Sequence, residues 1–331
     1  MSNTTTDLTI NLINNISSQL NHYMTLIIFL FNSIGNLLNI IVLSQPTLRM
    51  NPCVLYFLIS SISSLGILLV GLPSRLIAIW TSTDPSSTSS WFCKFRIFFL
   101  YSFRTTTSWL LVCATIDRWF LSHRKIHRRR LSSYKTAWKL IFIICALSFI
   151  LWFESIFCYD ANVANAPLQC YGKSTTCRIF NDIVYASSTV SIPSILMLIF
   201  GFLTIHNINR SLQAVQPVMI TIVSDVSRIS RNQRRGIRRS ESSLTRMHLL
   251  QVFLLTLCSI PQALHQFYLT FTMDIYKSPL RIAIENFIVS FNFSLTYVGN
   301  GITFYIYTLN GTIFRETFIQ LLHTFIRKFK F

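Results

Sequence analysis

Two adjacent opposite charges, Asp117 and Arg118, close a long apolar run, and Cys93 stands twenty-five residues ahead of Arg118. On a helix that separation is roughly 37 Å at about 1.5 Å per residue, enough to cross a bilayer core of about 30 Å with some tilt. The chemistry open to such residues is binding and switching. Charges this close to lipid are usually paired, so Asp117 and Arg118 read as an ion-pairing site at one membrane face. A basic run follows at once, Arg124, Lys125, Arg128, Arg129 and Arg130, and marks that face as cytoplasmic. Cys93, Cys158, Cys170 and Cys177 then reach the oxidising side, where disulfides persist. Between the two faces Arg104 is an intramembrane cation. Such a residue marks a functional site by default, with partnering of interior amides or hydroxyls as the competing reading.

Bond-making chemistry has no visible home. The chain carries no HExxH, no Walker loop, no GxSxG and no zinc-spaced Cys/His cluster, so neither a metal nor a cofactor is expected. Of 331 residues, 51% are hydrophobic and 12% charged. A mean hydropathy of +0.49 is too apolar for a soluble domain and indicates a polytopic membrane protein. The net charge of +18 falls in bursts between apolar stretches, which is a membrane-topology pattern rather than a nucleic-acid footprint.

The elements that must position these residues are seven apolar spans, about Met24–Ser44, Leu55–Trp80, Lys94–Phe120, Ala137–Phe157, Phe180–Ile205, Met247–Thr272 and Ile282–Leu309. Each is long enough for a helical crossing. Basic residues gather after spans one, three, five and seven, so the expected topology has the N-terminus outside and the C-terminus inside. The expected organisation is an outer tail over 1–23, a seven-span domain over 24–309 with a polar cytoplasmic loop at about 208–245, and an inner tail over 310–331. Met1–Tyr23 lacks a basic start and an early apolar run, so no cleaved leader is expected. Asn3 and Asn15 open glycosylation sequons in that tail. In the inner tail Phe314, Phe318, Leu322, Phe325 and Phe329 recur mainly at steps of four among basic residues. That pattern predicts a short amphipathic helix on an anionic inner leaflet. The fold expected is an all-α seven-helix membrane bundle.

Gly35-Asn36 in span one, Pro73, Trp91 with Cys93, Asp117-Arg118-Trp119, Pro193, Cys258-Ser259-Ile260-Pro261, and Thr303 through Tyr307 followed by Phe314-Arg315 occur in a fixed order. In order and spacing they resemble a rhodopsin-like G-protein-coupled receptor over nearly the whole chain. Phe304, where most relatives have Pro, is similar to the invertebrate FMRFamide-type peptide receptors. Other positions depart from the family pattern. Ser64 or Leu65 replaces an acid in span two, so a sodium site at Thr107 lacks its carboxylate. Gly201, Ser259 and Thr303 replace a Tyr, a Trp and an Asn of the activation relay.

The resemblance implies a plasma-membrane receptor that passes binding of an extracellular peptide to a heterotrimeric G protein. It implies a ligand cavity between the outer halves of spans two, three, five, six and seven, where Arg75, Leu100, Tyr101, Arg104, Gln262, His265, Gln266 and Glu285 fall. Leu100 stands where amine receptors carry Asp, which argues against an amine ligand. The resemblance also implies a Cys93–Cys170 disulfide, with Cys177 as the other choice for Cys93; the remaining two cysteines either pair or stay free. It assigns G-protein coupling to Asp117, Arg118 and Tyr307. Glu241, twenty residues before Pro261, takes the place of the acid that holds Arg118 at rest; a local pair with Arg238 is the competing reading. Two other functions compete: a transporter or channel, which would carry more deep charges or an internal repeat, and a receptor-like protein that no longer signals.

Overall fold

The computed structural model describes residues 2–81, 85–123, 125–163, 170–213, 226–272 and 275–329. The side chains of 211–248 lie outside that description. The spanning helices are α1 (Ser2–Leu43), α2 (Pro52–Thr81), α3 (Ser90–Ser122) and α4 (Tyr134–Trp152). Next comes α5, built from Thr175–Val184, a π-helical turn Tyr185–Ser191, and Ile192–Gln213. Then follow α6 (Val226–Phe271) and α7 (Pro279–Gly301, resuming as Thr303–Asn310). A final helix, α8 (Thr312–Phe329), completes the chain. Among the described residues six helices are long and apolar enough to cross a membrane. The seventh, α7, is more dilute because Glu285, Asn286, Asn292 and Ser294 interrupt its apolar residues.

The bundle is apolar outside, and inside it mixes apolar clusters such as Leu55, Phe57, Leu110 and Leu111 with buried polar side chains that need partners in lipid. Asn32, Asn36, Asn39 and the span-two serines Ser60, Ser61, Ser63 and Ser64 are buried. Phe142, Ile150, Phe202 and Phe253 point outward. Helix α3 sits centrally, packing on α2, α4 and α5, while α1 rests on α2 and α7. Close approach at α1–α7 depends on Gly301, where a Cβ would overlap the Asn32 amide. Asn32 Nδ2 instead donates to the Tyr297 carbonyl at 2.8 Å.

Helix starts follow capping chemistry. Ser89, Ser133, Ser174 and Ser278 each accept a backbone N–H from the first turn of α3, α4, α5 and α7. Asn51 does the same for α2, accepting from the Cys53 N–H at 3.0 Å. The π turn in α5 leaves one carbonyl to be satisfied from another helix. In its i→i−5 register Pro193 has no N–H to offer the Ser188 carbonyl. The Trp109 indole N–H of α3 donates to that carbonyl instead, at 2.9 Å.

Between α4 and α5 a small antiparallel hairpin pairs β1 (Tyr159–Ala161) with β2 (Cys170–Gly172), Asp160 facing Tyr171. Two disulfides tether it. Cys93–Cys170 joins β2 to the first turn of α3 with Cα atoms 5.6 Å apart. The two cysteines left open by the sequence also pair, Cys158 with Cys177 at 5.5 Å. Cys53, Cys113, Cys145 and Cys258 are free.

Two boundaries differ from the sequence expectation. Helix α1 begins at Ser2 rather than near Met24, because no Pro or Gly interrupts the chain before Gly35. Helix α6 begins at Val226, inside the stretch expected as a polar linker, since Ser227–Arg246 holds good helix formers and only one glycine. In α8 the amphipathic pattern is real: Phe314 and Phe318 pack edge-on against Phe304 of α7.

Candidate functional site

At the Cys93 end a cavity of about 160 Å³ opens among α2, α3, α5, α6, α7 and the hairpin. Helix α3 presents one face to it through Arg96, Ile97, Leu100, Tyr101 and Arg104, at helical spacing. The hairpin closes over it with Tyr159, Cys170 and Tyr171, held there by the Cys93–Cys170 bridge. Seven of the eight cavity residues singled out by sequence line it together: Arg75, Leu100, Tyr101, Arg104, Gln262, His265 and Gln266.

The eighth, Glu285, is elsewhere. Its carboxylate takes Lys277 Nζ at 2.6 Å and Arg281 Nε at 3.0 Å. It also accepts from the Tyr268 hydroxyl at 2.9 Å. This cluster ties α7 to the end of α6 and lines a separate depression. The helix angle does not exclude Glu285, since Asn286, Val289, Asn292, Phe293 and Tyr297 of α7 line the cavity and Glu285 lies within about 40° of Val289 and Asn292; its ion pairs with Lys277 and Arg281 hold the carboxylate instead.

Beneath the cavity the walls are cross-linked. Thr105 accepts from the Trp152 indole at 2.7 Å and shares a hydroxyl hydrogen bond of 2.7 Å with Thr189, joining α3, α4 and α5. Gln262 accepts from Thr296 at 2.5 Å, joining α6 and α7. Sequence reasoning missed Arg96, Arg178 and Asp182, which also line the cavity. A readable signal existed for Arg96, eight residues and about 12 Å of helix from Arg104. Asp160, at the hairpin, is outside the spans. The Ser90 hydroxyl, the Ala161 backbone N–H and Lys173 hold its carboxyl down at about 2.

At the opposite end the charge pair is divided between separate partners. Asp117 accepts from Ser132 at 2.6 Å. Arg118, buried, donates to Asn51 Oδ1 at 2.9 Å. The side chains of Glu241 and Arg238 lie outside the described residues, so neither reading of Glu241 is decided by contact. Tyr307, fully buried, donates to Gln251 Oε1 at 2.5 Å, and Gln251 Nε2 donates to Thr303 at 3.3 Å. Gly201 is where α5 meets α6; a Cβ there would press on Leu249 at 2.8 Å. Of the two sequon asparagines Asn15 is exposed, and the Asn3 side chain lies outside the description.

A seven-helix bundle with a disulfide-tethered hairpin over a cavity at one end and a buried Asp-Arg pair at the other defines a membrane receptor. Residues 35–300 match the family described as 7 transmembrane receptor (rhodopsin family), and the chain belongs to that family of G-protein-coupled signalling receptors. No curated protein matches the chain.

Proposed function

We propose that the chain is a plasma-membrane receptor for an extracellular peptide, of the FMRFamide-receptor type, and that it signals through a heterotrimeric G protein. The observation that carries this is the cavity: five helices and the hairpin contribute polar groups at several depths, which suits an extended ligand with several contacts. Leu100 on its wall argues against an amine. On this reading the Cys93 end faces outside with Asn3 and Asn15 glycosylated. Arg118, Asp117, Tyr307 and Glu241 then face the G protein, the long α5–α6 connection is cytoplasmic, and α8 rests on anionic lipid through Arg315 and Arg327.

The test is a neuropeptide panel applied to cells expressing the chain, read with reporters for each G-protein class. A dose-dependent response that Arg118→Ala removes, at unchanged surface expression, is the expected result. Peptide binding with no response from any reporter supports the second reading, a receptor that binds without signalling. The polar Tyr307–Gln251–Thr303 contact and the replaced relay positions Ser259 and Gly201 favour that second reading.

A further inference from the structure

Arg75, Arg96, Arg104 and Arg178 line the cavity, and among the described residues that line it the one carboxylate is Asp182, which already accepts from the Thr270 hydroxyl. Arg104 lies about two turns beyond Arg96 along α3, eleven residues and roughly 16 Å of helix beyond Cys93. It is only 4% exposed. Its Nη1 makes one long hydrogen bond to the Tyr185 hydroxyl, 3.4 Å, and its Cζ stands 5.3 Å from the centre of the Tyr297 ring. Nε and Nη2 have no hydrogen-bond acceptor among the described residues.

A guanidinium does not shed its proton in a protein, so burial cannot be relieved by neutralising it. A buried charge without a counter-ion is unfavourable, and hydroxyl and ring contacts offset only part of that. What a guanidinium with two free donors accepts best is a planar carboxylate, taken two-pronged.

Resting on the reading of this cavity as the ligand site, we infer that the ligand carries a carboxylate that seats against Nε and Nη2 of Arg104. That carboxylate is either a free C-terminus or, in an amidated peptide of the class proposed above, an acidic side chain. Gly71 leaves room for Tyr297, whose ring faces Arg104. A Cβ there would collide with the Tyr297 hydroxyl, and its carbonyl anchors Arg96 Nη2 at 3.0 Å.

The test uses the full chain in lipid nanodiscs and reads its melting temperature. The probes are N-acetyl-phenylalanine, its amide, the amide of N-acetyl-glutamate, and potassium chloride at matched ionic strength. At saturation at least one of the two carboxylate probes should raise the melting temperature by about 2–4 °C. N-acetyl-phenylalanine identifies a C-terminal carboxylate and the glutamate amide a side-chain one. Arg104→Gln should remove the shift, and the variant without probe should melt at or above wild type, because an uncompensated charge has gone.

The inference fails if the phenylalanine amide shifts the melting as much as the acid, if the shift survives in Arg104→Gln, or if no carboxylate probe acts. A chloride shift that abolishes the acid effect would also sink it, assigning the site to a halide. A marked loss of stability in probe-free Arg104→Gln would make Arg104 a structural residue. No signalling is read, so a failure of this inference and a failure of G-protein coupling are separate results.

Discussion

Asn51 and Arg118 meet at 2.9 Å although 67 residues separate them. One side-chain oxygen of Asn51 accepts both the Arg118 guanidinium and the first-turn N–H of Cys53. The end of α3 is thereby fastened to the start of α2. A hydrogen bond to a charged group contributes about 1.5–3 kcal/mol, and the helix cap about 1 more.

The first prediction follows from that fastening. On the receptor reading, Asn51→Leu should raise ligand-free signalling about tenfold per 1.4 kcal/mol lost from the resting state. Asn51→Asp should lower it, since a carboxylate holds a guanidinium more strongly. Basal reporter activity at equal surface expression checks both. If Asn51→Leu stays at the wild-type level while Glu241→Gln rises, the sixth-helix acid holds Arg118 and Asn51 is a helix cap alone.

The second prediction separates the two disulfides. In the chain-entropy account the Cys93–Cys170 bridge, spanning 77 residues, contributes about 4.5 kcal/mol, and Cys158–Cys177, spanning 19, about 3. Cys93→Ala and Cys170→Ala should each lose ligand response, with the double variant no worse than either single. The same equality should hold, with a smaller loss of melting temperature, within the Cys158 and Cys177 set. Non-equivalence inside a pair, read by melting and surface expression, would break the assignment.

A third concerns pH at the hairpin. The folded carboxyl of Asp160 lies near 2, below the ordinary aspartate value of about 3.9. A depressed carboxyl contributes stability above its unfolded value, lost as pH falls through the folded one. Asp160→Asn should therefore melt lower than wild type at pH 7, and the gap should close between about pH 4 and pH 2. Any gap that stays constant over that window means the Ser90 and Ala161 contacts act by shape alone.

The spans were readable because apolar runs of membrane length need no tertiary context, and Arg104 because a charge in such a run demands a reason. Family spacing led to Cys93–Cys170. Arg178 and Asp182 were not readable as cavity residues: they precede the π turn Tyr185–Ser191, so a uniform helical spacing counted back from Pro193 does not give their facing. Asn51 escaped because it sits in a short turn, outside any periodic stripe. Glu285 falls outside the cavity lining because Lys277 and Arg281 beside it take its carboxylate, a pairing that the span alone does not show.

The last prediction concerns the polar chain Tyr307–Gln251–Thr303, which pins α7 to α6 in the half of the bundle away from the Cys93 end. Gln251 accepts the Tyr307 hydroxyl at 2.5 Å and gives its amide to Thr303 at 3.3 Å. Both Gln251 and Tyr307 are buried, so neither can turn to water when its partner goes. Gln251→Leu strands the tyrosine hydroxyl, at a cost of about 1–3 kcal/mol; Tyr307→Phe strands one amide oxygen at similar cost. Removing both polar partners at once leaves an apolar contact of nearly the same shape, so the double variant should melt closer to wild type than the sum of the singles, with a coupling of 1 kcal/mol or more, on the order seen for buried pairs. Each single variant should also raise ligand-free signalling, because the separated state of α6 and α7 no longer gives up the hydrogen bond. Additive melting shifts would show that Gln251 and Tyr307 are neighbours without being a latch.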